Sequence, residues 1–192
     1  MMRKILMEKP KKRTTWVLMI LGLLLFAICY SNMLGIFAEI GISTDEFNAV
    51  WLSFDETIFR EYFMSITQEG TMDDFLRTFQ INIVSIAGFM IGVFFLSVLA
   101  ARSIRRESKL YSTAFIFPWL TVLIALQDIG ASALILSVGS KLESFSAWMA
   151  VITSGAYVGR VLLLYTLFIW LIVVGSLSVL RKYRTSPSSS TI

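Results

Sequence analysis

The sequence contains no histidine and one cysteine, Cys29, and these absences exclude much of the chemistry that a small protein can carry. Without histidine there is no His-ligated haem, no histidine metal site and no Ser-His or Cys-His nucleophile. A single cysteine forms neither an intramolecular disulfide nor a thiolate cluster, and within its apolar run we expect Cys29 to be a small buried hydrophobe. The sequence therefore predicts a protein with no metal, no cofactor and no enzymatic activity.

Charged residues are also scarce, at 16% of the 192 residues, whereas soluble domains average about 25%. Hydrophobic residues make up 56%, and the mean hydropathy is +0.74. They form four runs, at about 16–38, 80–101, 112–138 and 148–180, each long enough to cross the ~30 Å apolar core of a bilayer as a helix. The sequence predicts an all-α polytopic membrane domain over 16–180, with a basic tail at 1–15 and a polar tail at 181–192.

The distribution of charge around the four runs predicts how they are oriented. Residues 1–15, 102–111 and 181–192 carry net charges of +5, +3 and +3, whereas residues 39–79 carry −7. Since positive segments flanking spans stay inside, we expect both ends of the chain in the cytoplasm and the acidic segment outside, in the cell membrane. Basic residues at span ends serve orientation and attraction to anionic lipid, so the pI of 9.3 predicts no nucleic-acid partner.

The acidic segment carries a helical pattern of its own. Residues 43–46 read Ser-Thr-Asp-Glu, a capping box, and apolar residues follow at helical spacing. This pattern predicts one outer amphipathic helix at about 43–66, between the first and second spans. Its aromatic face would either lie on the outer membrane surface or dock against a partner protein. The predicted contact residues are Phe47, Trp51, Phe54 and Ile58.

Two ionisable residues, Asp128 and Arg160, lie inside the third and fourth runs, where an unpaired charge is costly. The loop between these runs is short, so the spans form an antiparallel hairpin and the two charges sit at similar depth. One interpretation is a clamp that fixes the hairpin or its docking to another chain. The other is a site for a proton, an ion or a lipid head group. A single carboxylate is too few for an aspartyl intramembrane protease.

Small residues predict close helix packing at two places. Gly88 and Gly92 in the second run, and Gly155 and Gly159 in the fourth, have the spacing that lets helix backbones approach.

Residues 62–92 include the stretch Phe-Gln-Ile-Asn at 79–82, which leads from the acidic segment into the second run. This region resembles the loop-to-span junction of the stage II sporulation protein M-like membrane proteins. Residues 128–131, Asp-Ile-Gly-Ala, are similar to the acid-containing later span of that family. The chain lacks the adjacent asparagine pair often found there and has fewer predicted spans. The resemblance implies a non-enzymatic partner in a membrane assembly.

Together these features predict a non-catalytic integral membrane subunit or scaffold of a larger complex. Its expected partners are the lipid bilayer and other membrane protein subunits, contacted through the outer aromatic helix and the packed spans. The alternative is a small transporter or channel component that uses the Asp128–Arg160 pair.

Overall fold

The computed structural model describes residues 11–104, 109–139, 141 and 145–185. Within these residues the chain is helical and contains no strand, which confirms the predicted all-α fold. The seven helices are α1 (Lys12–Glu39), α2 (Thr44–Trp51), α3 (Glu56–Gln68), α4 (Met72–Ser103), α5 (Lys109–Ala114), α6 (Phe117–Val138) and α7 (Ala147–Thr185). Helices α1, α4, α6 and α7 are each long and apolar enough to cross a membrane. Most of the predicted basic tail (1–10) and of the polar tail (186–192) lies outside the described residues.

The third long helix begins later than its apolar run. The run was predicted from residue 112, but the chain turns at Phe115 and Ile116 after the short helix α5, and α6 starts at Phe117. Pro118 explains the break, because proline lacks a backbone N–H and fits a helix best in its first turn. Helix α4, by contrast, begins at Met72, ahead of its apolar run, so the second span continues a helix that starts in the acidic segment.

The long helices pack in the order α1–α4–α6–α7. Helix α1 lies along α4, which also packs on α6, and α6 packs on α7. Among the described residues, α1 has no comparable contact with α6 or α7. The bundle is therefore open on the side between α1 and α7.

The α1–α4 contact is a dry seam built on three glycines, Gly22, Gly88 and Gly92. A Cβ on Gly88 would lie 2.7 Å from the backbone nitrogen of Phe26, and a Cβ on Gly92 would lie 2.9 Å from that of Leu23. The predicted pair Gly88 and Gly92 thus meets α1, and Gly22 completes the seam from the other side. Larger residues would force the helices apart.

The prediction of one continuous outer helix at 43–66 is wrong, because this segment forms two helices, α2 and α3. Ser43 Oγ accepts a hydrogen bond from Glu46 N at 3.1 Å, so the predicted cap begins α2. Asp55 Oδ1 then accepts one from Thr57 N at 2.7 Å and begins α3. Short polar side chains compete with helical hydrogen bonds in this way, and Phe54 between them has a left-handed φ of 55°.

The break folds α2 and α3 over one end of the bundle, which we call the acidic end. The aromatic rings of α2 and α3 pack with rings from the neighbouring segments and form the larger apolar core of the described residues. Phe59 of α3, Phe75 of α4 and Phe145 are fully buried in it. Trp51 is only 4% exposed in this core. Its predicted contact with an outside partner is therefore corrected, because the turn at 52–55 directs its ring toward α3 and α4.

The opposite end, the basic end, gathers the helix termini that flank the positive segments. Arg102 Nη1 donates a hydrogen bond to Thr15 Oγ1 at 3.3 Å, joining the last turn of α4 to the first turn of α1. Tyr111 and Phe115 pack with Val174 of α7 at this end. The described termini next to residues 1–15, 102–111 and 181–192 thus share one end of the bundle, as a four-span arrangement requires.

Candidate functional site

The two ionisable residues inside the spans form an ion pair. Arg160 Nη1 donates a hydrogen bond to Asp128 Oδ1 at 3.2 Å, and the guanidinium carbon lies 4.7 Å from the centre of the Tyr157 ring. Asp128 is ten residues from the end of α6 at Val138, and Arg160 is thirteen residues from the start of α7. At ~1.5 Å per residue, both lie about 15–20 Å from the acidic end, which is half or more of the ~30 Å thickness of a bilayer core.

This pair is not sealed between its helices. The Asp128 side chain is 14% exposed and the Arg160 side chain is 28% exposed. Arg160 has five N–H donors, of which one bonds Asp128. The rest of the guanidinium is left to face a space inside the bundle.

That space is a cavity of about 350 Å³ in the half of the bundle nearer the acidic end. Its walls come from α1, α4, α6 and α7, and α2 lies over it. Cavities of this size commonly hold a small molecule or part of a larger one. Its polar lining residues are Thr44, Asn48, Thr78, Asn82, Ser85, Asp128, Ser132, Thr153, Tyr157 and Arg160.

The polar lining comes largely from α4, α6 and α7. Asn82 Nδ2 donates to Ser132 Oγ at 3.1 Å, which ties α4 to α6. Ser85 Oγ and Thr153 Oγ1 are buried and have no hydrogen-bond partner within the described protein. Both oxygens are closed off from a molecule the size of water, as is Ser97 Oγ elsewhere on α4, so they lie behind the cavity surface.

The facing wall, from α1, is apolar and opens sideways. It consists of Phe26, Tyr30, Met33, Leu34 and Phe37. Tyr30 and Leu34 line the cavity and are also 42% and 40% exposed on the outside of the bundle. They mark a lateral opening on the side where α1 and α7 do not pack together, and a membrane around the bundle would place this opening against lipid chains.

Helix α2 closes the cavity at the acidic end. The Phe47 and Trp51 rings stack with their centres 3.9 Å apart, and both line the cavity. Tyr157 donates its hydroxyl to Asn48 Oδ1 at 2.6 Å, which fastens α2 to α7. Phe54 N donates to Ser154 Oγ at 3.2 Å, which fastens the turn between α2 and α3 to the same helix.

Gly155 and Gly159, the predicted packing glycines of α7, behave differently from the glycines of the α1–α4 seam. A Cβ on Gly159 would lie 3.1 Å from the Gln127 side chain of α6. Gly159 therefore packs against a side chain and not against a helix backbone. A Cβ on Gly155 would meet nothing within 4 Å. The packing role predicted for Gly155 is corrected, because this glycine faces away from the described helices.

The predicted contact residues on the outer segment are divided between the inside and the outside of the fold. Trp51 and the half-buried Phe47 belong to the cavity roof. Phe54 and Ile58 are 45% and 41% exposed and remain available to lipid or protein. Nearby, burial and the neighbouring charge of Glu46 raise the pKa of Tyr62 well above its ordinary value, so its hydroxyl stays neutral in the aromatic core.

Sequence reasoning assigned none of the polar cavity residues of α2 and α4 to a site, among them Asn48, Asn82 and Ser85. Asn82 lies ten residues into α4, which begins at Met72. The sequence pattern that could have indicated this polar wall is the spacing of Thr78, Asn82 and Ser85, which places three polar groups on one helical face.

The arrangement offers hydrogen-bonding groups and an ion pair with no net charge. No three potential metal-ligating residues lie together in the part of the chain that the structure describes. No protein-family model, curated protein or solved structure matches this chain. The resemblance of residues 62–92 to the stage II sporulation protein M-like proteins therefore stays a prediction from the sequence.

Proposed function

We propose that this protein is a non-catalytic integral membrane protein that binds an amphiphilic molecule from the bilayer in the cavity between its four long helices. The observation that carries this proposal is the cavity itself, with the Asp128–Arg160 pair inside it and an opening at Tyr30 and Leu34. The proposal develops the transporter alternative, since a carrier needs a binding site within the membrane.

The energetics of the ion pair support a binding role over a purely structural one. A buried pair is often no more stabilising than apolar residues of similar volume. Here both side chains line the cavity and are partly exposed. Intramembrane charges that face a cavity commonly belong to a ligand pathway.

The opening supports a membrane origin for the ligand. It lies between α1 and α7, whose most apolar segments have little surface buried within the protein. In a bilayer, a molecule could slide between these helices without crossing the aromatic roof formed by α2. We further propose that the acidic end faces outward in the cell membrane, so that the cavity opens to the outer leaflet.

Filling the cavity tests the binding role. Ala131 lines the cavity, whereas Ala133 on the same helix faces outward, so Ala131→Phe and Ala133→Phe form a matched pair. Native mass spectrometry of protein released from bilayer discs counts the lipid-like molecules retained. We expect retention by the wild type and by Ala133→Phe, and loss in Ala131→Phe. Equal retention in both variants would reject the cavity as the site.

The orientation has its own test. In a Cys29→Ala background, a cysteine at Ser65 in α3 should react with an impermeant thiol reagent in sealed cells. A cysteine at Ser108, in the positive segment between the second and third spans, should be protected. The reverse pattern would place the cavity in the inner leaflet.

A second candidate function is the subunit or scaffold role, and the geometry of Phe54 favours it. A bulky residue with a left-handed φ is strained, and such strain persists chiefly where the position serves a purpose. The strained turn holds the Phe54 ring outward near Ile58, where a partner chain could cover both.

Copurification tests the second candidate. If a partner protein docks on Phe54 and Ile58, the double variant Phe54→Asn, Ile58→Asn should copurify with less of that partner. Met64→Asn, which changes an equally exposed residue elsewhere on α3, should leave it unchanged. Unaltered copurification in the double variant would leave lipid as the occupant of this surface.

A further inference from the structure

We infer that the cavity selects an uncharged single-chain amphiphile whose head group carries both hydroxyl and carbonyl groups. This inference rests on the proposed binding function and specifies its ligand class. Three features of the cavity support it: its charge balance, its accessible polar side chains and the placement of its apolar wall.

The charge balance argues against a charged ligand. Asp128 and Arg160 are the residues of the lining that carry a formal charge, and they bond each other. A carboxylate head would add a net negative charge to this neutral pair, and a phosphocholine head, although neutral overall, would take two charges out of water. An ammonium head would add a positive charge that Arg160 repels. Inside a bundle of low dielectric constant either excess charge is costly, and an uncharged head avoids the cost.

The polar groups define the hydrogen bonds that the head must make. Asn82 is a half-buried part of the lining; its Nδ2 bonds Ser132, and among the described residues its Oδ1 is left to accept a hydrogen bond. The remaining N–H groups of Arg160 can only donate. A hydroxyl group on a ligand suits the amide oxygen of Asn82, and a carbonyl oxygen suits Arg160.

The apolar wall and the opening define the rest of the molecule. With its head on α4, α6 and α7, the ligand turns its carbon chain toward α1, where Phe26, Met33 and Phe37 line the cavity. The chain then leaves between Tyr30 and Leu34 and mixes with the lipid tails. A monoacylglycerol has this chemistry: hydroxyls, an ester carbonyl, no charge and one chain.

The test compares four probes that share a twelve-carbon chain brominated at its middle and differ only in the head group. These are the glycerol ester, the carboxylate, the phosphocholine and the trimethylammonium compounds. Binding in bilayer discs is followed by quenching of Trp51, which lines the cavity, in a variant whose other tryptophans are phenylalanine. A variant retaining only Trp148, which is 54% exposed, reports non-saturable quenching by bulk bilayer.

We expect saturable quenching of Trp51, with the glycerol ester binding about tenfold or more tightly than each charged or zwitterionic probe. Asp128→Asn leaves an excess positive charge and should shift the preference to the carboxylate. Arg160→Gln leaves an excess negative charge and should shift it to trimethylammonium. Combining both substitutions restores neutrality and should bring back the preference for the glycerol ester, even if the single variants fold poorly.

The failures of the two proposals are distinguishable. If no probe quenches Trp51 saturably in the wild type, the binding function itself is overturned. If saturable binding occurs but the carboxylate or phosphocholine probe binds best, the cavity is a site and the uncharged ligand class is overturned. If the substitutions of Asp128 and Arg160 do not change which probe binds best, the role assigned to these two residues is overturned.

Discussion

The α1–α4 seam and the α6–α7 seam are both contacts between antiparallel membrane-type helices, but they are built in opposite ways. The first is dry, and Gly22, Gly88 and Gly92 bring its backbones together without room for a Cβ. The second contains an ion pair and the Gln127 side chain, and it forms one wall of the cavity. Close backbone packing leaves no room between α1 and α4, whereas the side-chain contacts of α6 and α7 leave their ion pair partly exposed to the cavity.

The largest effect should come from breaking the dry seam. Gly22→Val places a branched side chain against Gly88 and Gly92 and should lower the free energy of unfolding by about 3 kcal/mol or more. Gly35→Val, in the same helix but facing open space, should change it by less than about 0.5 kcal/mol. Detergent-titration unfolding followed by circular dichroism measures both. Similar losses in the two variants would show that the seam is no tighter than the rest of α1.

The next effect should come from the polar seam. Asp128→Leu or Arg160→Met strands one charge, which costs about 3–5 kcal/mol when burial is complete. Because the pair is partly exposed, we expect about 2 kcal/mol for each single variant. The double variant removes the stranded charge and should recover most of that loss in the same unfolding titration. A double variant as unstable as the sum of the singles would show that the two residues do not interact.

A smaller effect should follow from loosening the roof over the cavity. Tyr157→Phe deletes the hydrogen bond to Asn48 and should cost about 1 kcal/mol, so amide exchange in α2 should rise about fivefold. Tyr165→Phe removes a hydroxyl from an exposed ring on the same helix and should leave α2 unchanged. Hydrogen–deuterium exchange with mass spectrometry resolves the two. Exchange that rises equally in both variants would argue against the fastening of α2 to α7.

The smallest effect concerns the turn between α2 and α3. Asparagine tolerates a left-handed φ better than phenylalanine, so Phe54→Asn should raise the free energy of unfolding by about 0.5 kcal/mol despite the loss of an exposed ring. Ile58→Asn relieves no strain and should not stabilise. Thermal unfolding of the purified variants compares them, and a destabilised Phe54→Asn would mean that the ring packs more firmly than its exposure indicates.

Much of the α-helical organisation follows from local properties of the chain. The long apolar runs predict four long helices, since a helix satisfies its own backbone hydrogen bonds. The capping box at 43–46 predicts the start of α2. The break at 52–55 was missed because Phe54 continues the apolar spacing, and spacing alone does not register the competing caps of Ser53 and Asp55.

The candidate site was likewise predictable only in part from the sequence. Asp128 and Arg160 are identifiable because charges inside apolar runs need a partner, and the short connection between their helices puts them at one depth. The sequence does not reveal that they face a cavity, since this depends on α1 packing on α4 alone. The pairing of Gly88 and Gly92 with α1 is likewise a choice among three possible neighbours.

By itself, the sequence determined an all-helical chain with four apolar helices, a charge asymmetry between the two ends and an ion pair within a hairpin, because periodicity, charge and capping act over a few residues. The tertiary structure alone decided that the outer segment folds back as a roof, that Trp51 is inside it, and that the space between α1 and α7 stays open. Those outcomes depend on contacts between residues far apart in the chain, such as Tyr157 with Asn48 and Gly22 with Gly92. Local preferences do not encode which distant surfaces fit together.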